Sequence, residues 1–290
     1  MNLNRKGAIR NFLAILACLS FGSSIQAPHG ASLAKGSLDK FGVSDAAIDQ
    51  AGFLSHTVES HYQEGQTEIK VLLPDRLDVD KRYPVLYVLP VETGNGTQFG
   101  HGLLEVKRLN LHNKFRLICV YPTFAQSSWY ADNDINPKVR YESYLLKVLL
   151  PYIENQYPVL RERKGRLLVG FSKSGWGAFS LLLRNPSVFA RAAAWDAPLA
   201  ETSPDSSKKL KDKFGTAQNF QNYRIDLLLK RRAGLLQKEK RLILMGYGGQ
   251  RDLYLDTHAL MVSLTDLPFE SREECAFIFL RHSDLGDRPL

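Results

Sequence analysis

The chain has 290 residues, 44% of them hydrophobic and 23% charged. That balance excludes disorder and collagen-like sequence and supplies enough apolar material for one large core. The net charge is +8, but the basic runs Ser206–Lys211 and Lys230–Arg232 carry no interleaved aromatics, so they read as solvated helix faces and argue against nucleic acid as a partner.

Met1–Arg10 is basic, Asn11–Phe21 is a short apolar stretch, and Gly22-Ser23-Ser24 follows. The stretch falls short of the roughly 20 residues of a membrane span. This layout predicts an export signal over residues 1–27 and a periplasmic or extracellular protein. Ile15-Leu16-Ala17-Cys18 also resembles the lipobox of bacterial lipoproteins, which would end the signal at Ala17 and place a lipid anchor on Cys18. A polar linker over 28–50 then leads to one domain over 51–290. Cys119 and Cys275 sit in apolar, strand-like runs and read as buried free thiols. The absence of a C-x-x-C pair and of zinc-spaced His/Cys leaves no metal expected.

The domain alternates strand and helix patterns. Val58–His61 and Ile69–Leu73 are early strands around Gly65, and Pro74 stops the second. Pro84–Pro90 and Phe115–Tyr121 are near-continuous apolar runs, the pattern of strands covered on both faces. Gly102–Leu109 reads as a helix between them. Tyr141–Tyr152 spaces Tyr144, Leu145, Val148, Leu149 and Tyr152 as one helical face. Then come a strand at Arg166–Gly170, a helix to Leu183, a strand at Val188–Trp195, a helix near Tyr223–Lys238, a strand at Arg241–Gly246, a helix near Thr257–Leu264 and an apolar run Cys275–Leu280. The alternation predicts a doubly wound α/β domain with a mostly parallel sheet and helices on both faces.

Leu167-Leu168-Val169-Gly170-Phe171-Ser172-Lys173-Ser174-Gly175-Trp176-Gly177-Ala178 carries the chemistry. A strand, a tight turn with Ser at its apex and a small-residue helix form a nucleophile elbow, which lifts the Ser172 hydroxyl to the carboxyl end of the sheet. The usual pattern is G-x-S-x-G. Here Ser174 holds the place of the second glycine, which is displaced to Gly175.

At these residues the chain resembles α/β-hydrolases of the esterase D type, including feruloyl esterases and mycolyltransferases, and more narrowly exported bacterial esterases with the run Gly170–Ala178. Trp129–Asp132 and Ala194–Pro198 extend the resemblance, which covers roughly Tyr83 to Leu264. It implies an α/β-hydrolase fold of about eight strands and a triad in the order Ser, acid, His. For the acid, Asp252 in Gly249-Gln250-Arg251-Asp252 follows the Arg241–Gly246 strand, with Asp196 second and Asp256 third. For the base, His282 follows the last apolar run and is preferred to His258 inside a helix. The usual Trp beside the terminal His is missing from Arg281–Gly286. His56, His61, His101 and His112 read as structural or solvated.

An oxyanion hole needs two N–H donors. Lys173 supplies one, and Val91 or Glu92 supplies the other because Pro90 has no N–H. The Lys173 ammonium either attracts an anionic substrate or points to solvent. Trp129, Tyr130 and Trp176 are candidates to line an aromatic acyl or sugar pocket, with core packing as the competing role. Two function classes result. One is a cofactor-free serine esterase, with an acyltransferase as its variant, acting on a small-molecule or carbohydrate-linked ester. The other is a catalytically silent hydrolase that binds a carbohydrate or cell-envelope partner.

Overall fold

A computed structural model describes residues 41–203, 207–236, 238–245 and Ala259. Nine described strands form one mixed sheet: β1 (Phe41–Val43), β2 (Ala47–Ile48), β3 (Leu54–Ser60), β4 (Gln66–Leu72), β5 (Val85–Leu89), β6 (Ile118–Pro122), β7 (Arg166–Phe171), β8 (Arg191–Trp195) and β9 (Leu242–Met245). Their order is β1-β3-β4-β6-β5-β7-β8-β9, with β2 also on β3. The five strands β5 to β9 are parallel, and β1 to β4 join antiparallel on one side.

The parallel strands are buried on both faces because helices cover both. Leu86 and Val88 of β5 pack with Leu103, Val106 and Leu111, which come from α1 (Gly102–Arg108) and α2 (Leu111–Lys114). Val85, Tyr87 and Leu89 alternate onto the opposite face. There they meet α3 (Tyr141–Tyr144), a π-wound turn at Leu145–Leu149, α4 (Leu150–Gln156), α5 (Lys173–Arg184) and, later in the chain, α8 (Ile225–Leu236). Two shorter helices, α6 (Ser207–Lys213) and α7 (Ala217–Gln221), precede α8. The Thr216 hydroxyl caps α7 by accepting the Asn219 N–H at 3.1 Å.

Several boundaries differ from the sequence reading for local reasons. Residues 41–48 fall in the expected linker, yet β1 and β2 pair with β3. Pairing of two or three residues leaves too short a pattern to see in sequence. The strand expected at Val58–His61 is β3, which starts at Leu54 and ends before His61, a residue of the turn. β6 starts at Ile118 because Phe115 and Arg116 form the turn after α2, with Arg116 at φ 51°. β8 starts at Arg191, because Val188 N–H turns back to the Asn185 carbonyl at 3.0 Å. The expected helix near Thr257–Leu264 and the run Cys275–Leu280 lie outside the described residues, Ala259 excepted, as does Cys275. Cys119 is a free, buried thiol, and burial pushes its pKa upward.

Candidate active site

The elbow sits at the carboxyl end of the central strand. Ser172 has φ 52° and ψ −128°, between β7 and α5, a conformation that a non-glycine residue holds only when its surroundings over-determine it. Those surroundings are specific. Ser172 N–H donates to the Trp195 carbonyl at 3.0 Å, and the Ser172 carbonyl accepts from Gly175 and Trp176 N–H at 3.0 and 3.2 Å. A Cβ on Gly170 would lie 2.1 Å from the Ser174 carbonyl oxygen, so glycine is obligatory there.

The displaced glycine has a structural explanation. Ser174 is fully buried, and its Oγ accepts the Phe171 N–H at 2.9 Å while donating to the Phe171 carbonyl at 2.8 Å. Its hydroxyl closes the turn that a glycine would leave open. Gly175 is then required one position later, where a Cβ would come 2.8 Å from Ala197 Cβ and 3.1 Å from Ala194 Cβ.

The neighbouring strand ends in the same manner. Asp196, directly after β8, has φ 47°. Since Ser172 N–H is bonded to the Trp195 carbonyl, two non-glycine residues in left-handed backbone stand side by side at this edge. The Lys173 ammonium does not point freely to solvent, because it donates to Ser127 Oγ on the loop after β6. Glu92 turns its carboxylate onto its own loop, accepting from Gln98 and Phe99 N–H at 3.0 and 2.9 Å. Among the described residues the Val91 N–H donates to no acceptor.

Of the two roles open to Trp129, Tyr130 and Trp176, the structure favours core packing over the pocket. Tyr130 and Trp176 are fully buried and Trp129 nearly so. Trp129 and Trp176 pack edge to face at 5.4 Å, and both meet Phe214. Their apolar area is used in the core beneath the turn. A different set of rings stands at the edge. Phe99, half exposed, is 6.4 Å from Phe171, which is 5.4 Å from Trp195. Phe171 and Trp195 are register partners on adjacent strands. The sequence signal for this set was the flanking of Ser172 by Phe171, but Phe99 belongs to a loop that no pattern connects to it.

Of the described histidines, His56, His101 and His112 are buried in structural settings, and His61 is exposed in the turn after β3. His56 on β3 has Nε2 2.6 Å from the Tyr157 hydroxyl and Nδ1 2.8 Å from that of Tyr152. His101 stacks on Tyr121 at 4.2 Å, and His112 is buried on α2. Desolvation lowers the pKa of His101 and His112. Asp252, Asp256, His258 and His282 lie outside the described residues.

A family model described as "Putative esterase" matches residues 60–242. A curated Mycobacterium tuberculosis protein named Esterase Rv1288 is 30% identical over 135 residues, 45% of this chain and 29% of that protein. The chain thus matches less than a third of that relative's length. Among solved structures, FphF, a fluorophosphonate-binding serine hydrolase of Staphylococcus aureus, has a TM-score of 0.60 at 18% identity, covering 78% of this chain and 89% of that one. A ferulic acid esterase has a TM-score of 0.57 at 21% identity over 78% and 86% of the two chains. MPT51 of Mycobacterium tuberculosis has 0.55 at 14% over 72% and 83%. At these identities the structural likeness is one of fold, and it agrees with the sheet order and the elbow. Since the family model spans well over half of the sequence, the chain belongs to the esterase family and has the α/β-hydrolase fold.

Proposed function

We propose that the protein is a serine-dependent carboxylic ester hydrolase with Ser172 as its nucleophile. The observation that carries this reading is the backbone of Ser172, left-handed at the carboxyl end of β7 and fixed by Gly170, Ser174 and Trp195, in a chain of the esterase family.

Ser172 Oγ attacks the ester carbonyl carbon and passes its proton to a histidine. The carbonyl π pair moves onto oxygen, which the N–H groups of Lys173 and of Val91 or Glu92 receive. Collapse of this oxyanion expels the alcohol, which takes the proton from the imidazolium, leaving an acyl-Ser172 ester. Water repeats the sequence, releasing the acid and restoring the hydroxyl. The chain order assigns the base to His282 and the carboxylate that holds its tautomer to Asp252, with His258, Asp196 and Asp256 as the substitutes to be tested beside them. The substrate is a small-molecule or carbohydrate-linked ester, and the N-terminal pattern places the reaction outside the cytoplasm, on a chain starting between Cys18 and Pro28 or anchored through Cys18. Intact-mass analysis of protein from the native host tests that start, and a chain still beginning at Met1 refutes it.

A fluorophosphonate probe tests the chemistry. The folded protein should be labelled and Ser172→Ala should not. A folded wild type that resists the probe would favour the silent binding protein instead.

A further inference from the structure

Tyr130 sits in the loop after β6 at φ 58°, and its N–H donates to Ser128 Oγ at 2.9 Å. Its ring is fully buried, edge to face with Phe124 at 5.3 Å. On its other side it lies against Gly177 of α5, where a Cβ would come 2.1 Å from the ring. The hydroxyl crosses to the loop after β5 and donates to the Pro90 carbonyl at 2.5 Å. One ring therefore spans from the helix that follows Ser172 to the segment that holds Val91.

The bond to Pro90 has a consequence one atom further on. The Pro90 carbonyl and the Val91 N–H belong to the same peptide unit. No peptide bond among the described residues is cis, and in a trans peptide these two groups point in opposite directions. The carbonyl is drawn toward the buried phenol, so the Val91 N–H is turned away from it, just past the strand whose Leu89 pairs with Gly170, two residues before Ser172. Proline at 90 has no N–H of its own, so its carbonyl is the one backbone group by which the residue can be held. Burial raises the phenol pKa well above its ordinary value, so Tyr130 remains a donor throughout the working range.

We infer that Tyr130 is a positioning residue of the oxyanion hole: it fixes the Pro90–Val91 peptide so that Val91 N–H, with Lys173 N–H, receives the negative charge formed when Ser172 attacks. This inference rests on the serine-hydrolase reading. It chooses Val91 over Glu92 as the second donor, and it gives Gly177 a role, since any side chain there would displace the ring that sets the spacing between the two donors.

Tyr130→Phe keeps the ring and removes the tie, and Val91→Pro removes the donor itself. Both are assayed with p-nitrophenyl acetate and with its thiono analogue, in which sulfur, a poor hydrogen-bond acceptor, replaces the carbonyl oxygen. Loss of an oxyanion donor costs about 10²–10³ in kcat, so Val91→Pro should fall in that range, and Tyr130→Phe should lose about tenfold or more, each with KM within about twofold of wild type. The preference for ester over thionoester should shrink in both, a change that a merely structural defect would not produce. A folded Tyr130→Phe, or a Val91→Pro, with wild-type kcat and wild-type preference overturns the inference; if Tyr130→Phe fails to fold, Val91→Pro decides alone. Failure of the underlying reading looks different: the wild type then resists fluorophosphonate, or Ser172→Ala keeps its turnover.

Discussion

At the far end of α5 Arg184 and Glu142 meet in a buried network of hydrogen bonds, whereas at its near end Ser172 and Asp196 hold positive-φ backbone that ordinary packing avoids. Glu142, 6% exposed, accepts from Arg184 Nε at 3.0 Å, from Asn185 Nδ2 at 2.7 Å and from the Tyr223 hydroxyl at 2.8 Å. Arg184 also lies 3.9 Å over the Tyr223 ring, and that hydroxyl accepts the Asp132 N–H at 2.9 Å. Burial works against the Arg184 charge, but the Glu142 carboxylate outweighs it and the guanidinium pKa is raised. A single helix thus joins a hydrogen-bonded network at one end to a strained turn at the other. The closed network holds α3, α5 and the segment before α8 together, a fixed support for the two strained residues side by side at the other end.

The sharpest way to break the comparison is to exchange the expected losses at the two ends. Ser172→Ala should lower ester turnover by at least about 10³-fold while leaving Tm nearly unchanged, because one hydroxyl at the turn is removed and no core packing is lost. His282→Ala should cost nearly as much, and the double variant should be little worse than either, since members of a triad act as a unit; additive losses would dismiss His282 as the base. Glu142→Ala should behave in the opposite sense. It leaves Arg184 without its carboxylate and should destabilise the fold by about 3 kcal/mol in denaturant unfolding, while fluorophosphonate labelling of Ser172 persists below the transition. Loss of labelling in a folded Glu142→Ala would show that the two ends are not separable.

Gly177→Ala sharpens the comparison at intermediate size. Overpacking the Tyr130 ring should cost about 1–3 kcal/mol and lower kcat as well, because the same ring serves both the core and the Pro90 carbonyl.

The smallest effect concerns pH. Desolvation first, and then the Lys70 charge, depresses the His101 pKa below its ordinary 6.5, so the unfolded chain binds the proton more readily than the folded one. Stability is then complete above about pH 6.5 and declines as pH falls through that value toward the lower folded pKa. Thermal unfolding at pH 7.5 and pH 5.5 should show a drop in Tm that His101→Phe reduces, with His112 supplying part of what remains. An unchanged drop in the variant would remove His101 from the account.

What could be read in the sequence was whatever repeats or is confined to a short window. The doubly covered strands at Val85–Leu89 and Arg166–Phe171 announce themselves as apolar runs, and the elbow is contained within Gly170–Gly175. The role of Ser174 was half legible: its size showed that it fits, but its paired hydrogen bonds to Phe171 depend on how the turn folds back. Tyr130, Trp129 and Trp176 could be read as either pocket or core, since an aromatic residue near a motif carries no sign of which way its ring turns. The tie from Tyr130 to Pro90 joins residues 40 positions apart and leaves no periodic trace.

The π-wound turn at Leu145–Leu149 carries a different consequence. Pro151, in the first turn of α4, cannot donate to the ladder and would crowd the carbonyl four residues before it, and the wider turn relieves that conflict. The extra residue also resets the angular phase of everything downstream. Glu154 reaches Arg166 Nε at 2.6 Å, with both side chains 12% exposed, because α4 leaves the turn at this particular rotation. Rewinding these same residues as plain α-helix, with none removed, would swing Glu154 by about 100°, taking it away from Arg166 at the start of the strand that leads to Ser172. The helix therefore works as a phase adjuster: its irregular turn decides which residue meets Arg166 at the foot of the strand before Ser172.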